Sequence, residues 1–117
     1  MNQRQPILFI CTHNQSRSYT AEYLFRESTE YEARSAGTDP DARIPVSVDL
    51  IAWAARIFVM EALHLSFLRE RFAEHLGGKE LVCLEIPDVY MPLEPELMIL
   101  LEDKLAPYLA SERDRET

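Results

Sequence analysis

The chain has 117 residues and a formal net charge of -8 at pH 7, and 47% of its residues are hydrophobic. These values predict one domain over residues 1–110 and exclude sequence-independent nucleic-acid binding, which needs a basic surface. The sequence has no apolar run long enough to span a bilayer and no signal-peptide hydrophobic region. Its two cysteines lack disulfide-type spacing. We therefore expect a cytoplasmic protein without membrane contact, whose charged tail, 111–117, is mobile.

The first half of the chain predicts two strands and a helix around a polar loop. An unbroken apolar run over 7–10 indicates a strand covered on both faces of a parallel sheet. After the loop, a helix of roughly three turns is predicted, because Ala21, Leu24, Phe25 and Ser28 share one face. Residues 32–37 predict a second strand, and the TDPDARIP segment (38–45) predicts a loop.

The middle of the chain predicts two further helices and a third strand. Pro45 is expected to open a short helix, because proline suits a first helical turn. Residues 56–60 predict the third strand. A longer helix is then expected from Glu61, ending at Gly77 and Gly78.

The final elements complete a strand–helix alternation. Residues 80–86 predict a fourth strand that Pro87 stops, and Pro95 begins a last helix, which Pro107 ends or distorts. This alternation predicts an α/β three-layer sandwich. Its centre is a four-stranded parallel sheet in the flavodoxin-like order 2-1-3-4. Ligands of such sheets bind at the carboxyl ends of the strands, where the loops beginning at Cys11, Ser35, Met60 and Asp88 are expected to meet.

The loop after the first strand carries the strongest chemical signal. Cys11 and Arg17 lie six positions apart between a strand and a helix, and Ser18 follows. This spacing suits a tetrahedral anion held above a thiolate, beside a guanidinium and within a ring of backbone N–H groups. A helix N-terminus and a cation both favour the thiolate, and the Ser18 hydroxyl can donate to the sulfur. The pattern predicts a phosphate-binding loop and phosphate-ester hydrolysis through a phosphocysteine.

Other polar candidates are weighed against packing roles. Asp88 is the best general acid, because its loop leaves the fourth strand, whereas Glu85 is expected within that strand. His64 and His75 lack metal-ligand spacing and are expected at the surface or in packing. Cys83 is expected in the core. Neither a metal ion nor a cofactor is expected.

The segments FICTHNQSRSYTAE, RSAGT, FVMEALH and IPDVY together resemble the low-molecular-weight protein tyrosine phosphatases, in their short bacterial form. The likeness extends over about residues 6–109, with the motifs in the family's order. It implies a phosphomonoesterase that acts on a phosphotyrosyl protein or a small aryl phosphate. Inorganic phosphate, sulfate and vanadate are the implied site ligands.

The resemblance also implies individual roles. Cys11 would be the nucleophile, Arg17 the phosphate clamp, and Asp88 the general acid. Supporting roles would belong to Ser18 as thiolate partner and to Tyr90 as a wall beside the substrate ring. The implied phosphate-binding loop comprises Thr12, His13, Asn14, Gln15, Ser16 and Arg17.

Two further expectations concern the support of this loop. Asn14 tolerates the left-handed backbone of a strained turn, and the resemblance implies that Ser35 hydrogen-bonds to it. The chain departs from the family at Tyr19, where proline is usual, and at Val89, where proline commonly follows the acid.

Other functions stay open on sequence grounds. Arsenate reductases use a similar fold and loop but need further cysteines near the site. The loop could also bind phosphotyrosine without turnover, as a binding module. A phosphocysteine carrier for sugar transport is a weaker alternative.

Overall fold

The computed structural model describes residues 3–109, so the predicted tail, 111–117, lies outside the described residues. The strands are β1 (Gln5–Cys11), β2 (Tyr31–Gly37), β3 (Arg56–Val59) and β4 (Glu80–Cys83). The helices are α1 (Arg17–Leu24), α2 (Val48–Trp53), α3 (Ala62–Arg71) and α4 (Pro95–Leu105), and a 3₁₀ turn, Ala73–His75, follows α3. Within residues 3–109, no helix combines the length and apolar character that crossing a membrane requires.

The four strands form one parallel sheet in the order β2-β1-β3-β4, which confirms the predicted order. In the centre of the sheet, Phe9 of β1 pairs with Ser35 of β2 on one side and with Phe58 of β3 on the other. The order reverses between β1 and β3. Loops after these strands diverge there and open a crevice at the carboxyl edge of the sheet.

The two faces of the sheet bury separate cores. Phe9 and Cys11 of β1 lie in the core that includes α1 and α4 residues. Leu8 and Ile10 lie in the core that includes α2 and α3 residues. Alternate residues of a strand point to opposite faces, and both faces are covered, so the unbroken apolar run of β1 is explained and the three-layer sandwich is confirmed.

Three helices differ from the sequence prediction. The α3 helix ends at Arg71, and a separate 3₁₀ turn, Ala73–His75, follows it instead of helix as far as Gly77. The α1 helix ends at Leu24 rather than continuing to Ser28. Ser28 Oγ instead accepts the backbone N–H groups of Glu30 and Tyr31, so this side chain stabilises a turn into β2. Pro45 does not open α2 but forms an isolated parallel bridge with Gly37. The helix begins after Ser47, whose Oγ accepts the N–H of Leu50 at 3.2 Å.

The fourth strand is shorter than predicted. It ends at Cys83, and Glu85 adopts a left-handed φ of 57° outside it, so the expectation that Glu85 lies within the strand is wrong. Residues 84–86 nevertheless lie beside the end of β3 and the residue after it. Leu84 N–H donates to Val59 O and Ile86 N–H donates to Met60 O, both at 2.8 Å. These bonds carry the chain to Asp88 at the crevice.

Candidate active site

A cavity of about 270 Å³ lies at the carboxyl edge of the sheet. It brings together predicted residues from the loop after β1 and from the segment after β4, with one residue that sequence reasoning missed, Pro92. The lining residues are Cys11, His13, Gln15, Ser16, Arg17, Asp88, Tyr90 and Pro92. The other predicted residues, Thr12, Asn14, Ser18 and Ser35, do not line the cavity.

The Cys11 sulfur is buried and lies near two hydrogen-bond donors. The backbone N–H of Asn14 donates to Sγ at 3.3 Å, and Ser18 Oγ lies 3.0 Å from Sγ. Asn14 has φ 59°, so the left-handed geometry expected of this residue is present and turns its N–H back toward the sulfur. Two hydrogen-bonding groups thus converge on the Cys11 sulfur.

The side chain of Asn14 determines how Ser18 can act. Its Nδ2 donates to Ser18 Oγ at 2.7 Å, which occupies an acceptor site of that hydroxyl. The hydroxyl hydrogen then has two possible acceptors, Cys11 Sγ at 3.0 Å and Ala36 O at 3.4 Å. Because the sulfur is closer, the chain of donors runs from Asn14 through Ser18 to Cys11.

The expectation that Ser35 hydrogen-bonds to Asn14 is wrong. Ser35 Oγ donates to Glu22 Oε1 at 2.5 Å and accepts from Arg43 Nη2 at 3.4 Å. A carboxylate is a stronger acceptor than a neutral amide oxygen, and Glu22 lies on α1, directly beside β2. Ser18 takes the place of Ser35 as the partner of Asn14.

Arg43 supports the outer side of the loop. Its Nε donates to Asn14 O at 3.0 Å, and its backbone N–H donates to His13 O at 3.1 Å. The guanidinium carbon lies 5.0 Å from the ring centre of Tyr19, within the range of a cation–π contact. Tyr19, which stands where the family usually has proline, is therefore part of the support of the loop.

Arg17 is 2% exposed and is held by two acceptors on one nitrogen. Its Nη1 donates to Glu61 Oε1 at 2.7 Å and to the carbonyl of Ile86 at 2.8 Å. Its Nε has no hydrogen-bond partner among residues 3–109, and Asp88 Oδ1 lies 3.7 Å away. A buried donor on a permanent cation is costly to leave unpaired, so this atom indicates a site for an anion.

Two hydrogen bonds tie the segment that carries Asp88 to the start of α1. Ser16 Oγ donates to the carbonyl of Tyr90 at 2.6 Å, and Leu93 N–H donates to Thr20 Oγ1 at 2.9 Å. Asp88 itself is 57% exposed on its side chain, at the mouth of the cavity. The segment is thus fixed to the phosphate-binding loop of residues 12–17, hereafter the anion loop, whereas the carboxylate keeps access to water.

His64 was expected at the surface or in packing; it is buried, and both of its ring nitrogens make polar contacts behind the loop. Its Nε2 lies 2.8 Å from Thr12 Oγ1, and its Nδ1 accepts the N–H of Glu61 at 3.0 Å. Burial first, and then the charge of Arg17, lowers the pKa of His64 to about 4, while Glu61 and Asp88 oppose this shift. The signal in the sequence was the pair Glu61 and His64, three residues apart at a helix start beside the sheet edge.

Comparisons with known proteins agree with this arrangement. The profile of the family "Low molecular weight phosphotyrosine protein phosphatase" matches residues 6–63. No curated protein sequence matches the chain.

Solved structures show the same fold at low identity. The tyrosine phosphatase Wzb from Escherichia coli K30, in complex with phosphate, has a TM-score of 0.69 and 22% identity, over 91% of this chain and 96% of that chain. The YwlE arginine phosphatase from Geobacillus stearothermophilus has a TM-score of 0.66 and 24% identity, over 88% and 91%. A cysteine-to-serine mutant of YwlE with a phosphorylated active-site serine has a TM-score of 0.67 and 24% identity, over 93% and 98%.

The family match begins in β1 and includes the whole anion loop, and the solved structures share the sheet that presents it. Just under half of the chain therefore matches the low-molecular-weight protein tyrosine phosphatase family, and these comparisons support a phosphoric monoester hydrolase.

Proposed function

We propose that this chain, as one domain over residues 1–110, hydrolyses aryl phosphate monoesters through a phosphocysteine formed on Cys11. The observation that carries the proposal is the unpartnered, buried Nε of Arg17, which lines the same cavity as Cys11, whose sulfur has two donors of its own. An oxyanion in the cavity would pair with Nε and with the free first-turn N–H groups of α1. The same atoms would then stabilise the charge of the transition state.

The first step transfers the phosphoryl group to sulfur. The Cys11 thiolate attacks phosphorus, an S–P bond forms, and the P–O bond to the leaving group breaks. Asp88 gives its proton to the departing oxygen, which leaves as a neutral alcohol or phenol. Its position at the cavity mouth, near Arg17 Nε, supports this role.

The second step releases phosphate. Asp88, now a carboxylate, accepts a proton from water as the water attacks phosphorus, and the S–P bond breaks. The Ser18 hydroxyl donates to the departing sulfur, a role supported by its 3.0 Å distance from Sγ. Cys11 returns to the thiolate and Asp88 to the acid, so the cycle balances.

Relatives of known activity support the ligand and the covalent step. Wzb was solved with phosphate, and the YwlE mutant carries a phosphoryl group on its active-site serine. We propose that loop residues 12–17 hold phosphate here, and that sulfate and vanadate compete for the same place.

The mouth of the cavity favours a substrate with an apolar body. Tyr90 lines the cavity, and the neighbouring Val89 and Met91 are 72% and 70% exposed. We propose a phosphotyrosyl protein or a small aryl phosphate as the substrate, in a cytoplasm that keeps the thiol reduced.

The alternatives have less support. Arsenate reduction needs a second cysteine near the first, but the chain has only two, and Cys83 packs beside the α2–α3 core instead of lining the cavity. A binding module without turnover would not need an acid at the cavity mouth.

The test is hydrolysis of p-nitrophenyl phosphate by the wild type and by Cys11→Ser, with acid quench and mass spectrometry for a phosphorylated cysteine. Turnover that is lost in Cys11→Ser, with one phosphoryl group on Cys11 of the quenched wild type, supports the proposal. Full turnover in the variant, or phosphopeptide binding without phosphate release, overturns it. Phosphotyrosine and phosphoarginine peptides, assayed side by side, identify the preferred substrate.

A further inference from the structure

We propose that the start of α3 is a bracket that positions the anion loop, with His64 acting through Thr12 and Glu61 acting through Arg17. Neither residue lines the cavity, so both are positioning residues rather than catalytic ones. The inference rests on the proposed function for its activity readout.

The hydrogen bonds of His64 define the tautomer of its ring. The Glu61 backbone N–H can only donate, so Nδ1, at 3.0 Å, must be unprotonated. In a neutral ring the proton then lies on Nε2, which donates to Thr12 Oγ1 at 2.8 Å. His64 is 0% exposed, and its lowered pKa keeps it neutral at pH 7, so this directed chain of bonds persists there.

Thr12 is the residue directly after Cys11, and it is held from two sides. Its carbonyl accepts the N–H of Asp39 at 3.0 Å, from the segment after β2. Its hydroxyl contacts His64, at the start of α3. Because α3 follows β3, this contact comes from the other side of β1. Loss of the His64 contact leaves Thr12 restrained on the β2 side alone, so the first residue of the loop gains freedom.

Glu61 fixes the plane of the Arg17 guanidinium. Its carboxylate and the Ile86 carbonyl both accept from Nη1, at 2.7 and 2.8 Å. Because the guanidinium is planar and these two acceptors hold Nη1, the position of the unpartnered Nε is also restrained at the cavity that Arg17 lines. The negative charge of Glu61 therefore weakens the attraction of the site for an anion, while its hydrogen bond fixes the orientation of the Arg17 guanidinium.

These opposed effects make Glu61→Ala a decisive variant. If Glu61 acted only through its charge, its removal would tighten binding of inorganic phosphate. Positioning predicts the reverse, a roughly tenfold weaker phosphate affinity, because a misaligned Nε makes a weaker charge-assisted hydrogen bond to the anion. Glu70→Ala, at an exposed carboxylate of the same helix, is the charge-matched control and is expected to stay within about twofold of wild type.

His64 allows its two hydrogen bonds to be separated. In His64→Asn, the amide oxygen can replace Nδ1 as the acceptor for Glu61, but the contact with Thr12 is lost. In His64→Gln, the amide nitrogen can replace Nε2 as the donor to Thr12, but the helix-start bond is lost. We expect His64→Asn to lower kcat/KM for p-nitrophenyl phosphate by about 10- to 100-fold and His64→Gln to retain most activity. His75→Gln, exposed in the 3₁₀ turn, is the control.

A double-mutant cycle tests whether His64 acts through Thr12. Thr12→Val is expected to lower kcat/KM as His64→Asn does, and the two together should cost little more than either alone. Thr12→Ser, which keeps the hydroxyl, should rescue the activity. Additive losses in the double variant overturn the proposal. If His64→Asn fails to fold, an unaffected Thr12→Val alone overturns it.

Phosphate affinity, measured by calorimetry, separates this proposal from the proposed function. If the wild type binds phosphate without turnover, the proposed function fails, but weaker phosphate binding in Thr12→Val and Glu61→Ala still supports the bracket. If the wild type turns over and these variants match it in affinity and kcat/KM, the bracket alone is overturned.

Discussion

Asp88 Oδ1 lies 3.7 Å from Nε of Arg17, so the proposed acid and the proposed phosphate clamp meet although β2, β3 and β4 separate them in the chain. The contact joins a 57% exposed carboxylate to a 2% exposed guanidinium. A phosphoryl group bound at Nε would hold its leaving-group oxygen near the carboxyl group that is proposed to protonate that oxygen. The geometry therefore makes Asp88 the first residue to test.

Asp88→Asn should lower kcat for aryl phosphates with poor leaving groups by about 10²- to 10⁴-fold, because the amide cannot give up a proton. The first step needs a thiolate together with a protonated Asp88, so kcat/KM of the wild type should follow a bell-shaped pH profile. The basic limb should disappear in the variant. A basic limb that stays unchanged would assign the acid role to another group.

Ser18→Ala should slow the second step more than the first. The variant lacks the hydroxyl 3.0 Å from Cys11 Sγ, and the departing sulfur loses a donor. Loss of one donor to a developing negative charge costs about 10²- to 10³-fold in rate. Stopped-flow kinetics should then show a burst of p-nitrophenol followed by slow turnover.

The control for Ser18→Ala is Ser66→Ala, an exposed position on α3. It should leave both phases unchanged. A Ser18→Ala variant with wild-type turnover and no burst would contradict the proposed role.

Arg43→Ala should weaken phosphate binding by about three- to tenfold, because a hydrogen bond to a charged group contributes roughly 1.5–3 kcal/mol, part of which water replaces. Asn14 O would lose its contact with Arg43 Nε, and the left-handed turn would be less restrained. Arg43→Lys keeps the charge but not the planar fork, so it should resemble the alanine variant.

A matched control for Arg43 lies outside the site. Arg26 stacks on Tyr23 with its guanidinium carbon 3.8 Å from the ring centre, and neither residue lines the cavity. Arg26→Ala should leave phosphate affinity unchanged. If Arg43→Lys fully preserved affinity, the long-range charge rather than the hydrogen bond would be responsible.

Gly37→Ala should destabilise the fold and disturb the loop. A Cβ at this position would lie 2.4 Å from Thr12 O and 2.6 Å from Ala42 Cβ, so backbone must move. Overpacking of this kind costs about 1–3 kcal/mol, measurable by urea denaturation. Gly77→Ala, where a Cβ meets no atom within 4 Å among the described residues, should not show this loss.

His64 predicts an acid-sensitive component of stability. The unfolded chain takes up this proton near pH 6.5, whereas the folded chain resists it down to about pH 4, chiefly because the ring is buried. The contribution of neutral His64 is therefore complete above pH 6.5 and is lost as the pH falls toward 4, on the order of 2 kcal/mol. Arg17, Glu61 and Asp88 are the charged groups that act on it.

Urea denaturation at pH 7.5 and pH 4.5 checks this prediction. His64→Gln should lose less stability between the two pH values than the wild type does. Parallel losses in the two proteins would show that other groups account for the acid sensitivity.

Short-range patterns were sufficient for the elements whose structure depends on neighbours in the chain. The apolar run of β1, the spacing of Cys11 and Arg17, and Pro95 at the first turn of α4 all appear where the pattern predicts. Strand–helix alternation added the sheet order, because right-handed crossovers leave few arrangements. These features follow from local backbone geometry and periodic burial.

The supporting contacts of the site could not be deduced in this way. Ser35 bonds to Glu22 rather than Asn14, and His64 reaches Thr12, because each polar group selects among acceptors that only the packed elements bring within 3 Å. The end of β4 at Cys83 likewise depends on Glu85 adopting a left-handed turn beside β3. The chemistry of the anion loop could be predicted from residues that are close together in the sequence. The bracket behind it could not, because hydrogen-bond partners that are distant in sequence leave no periodic signal.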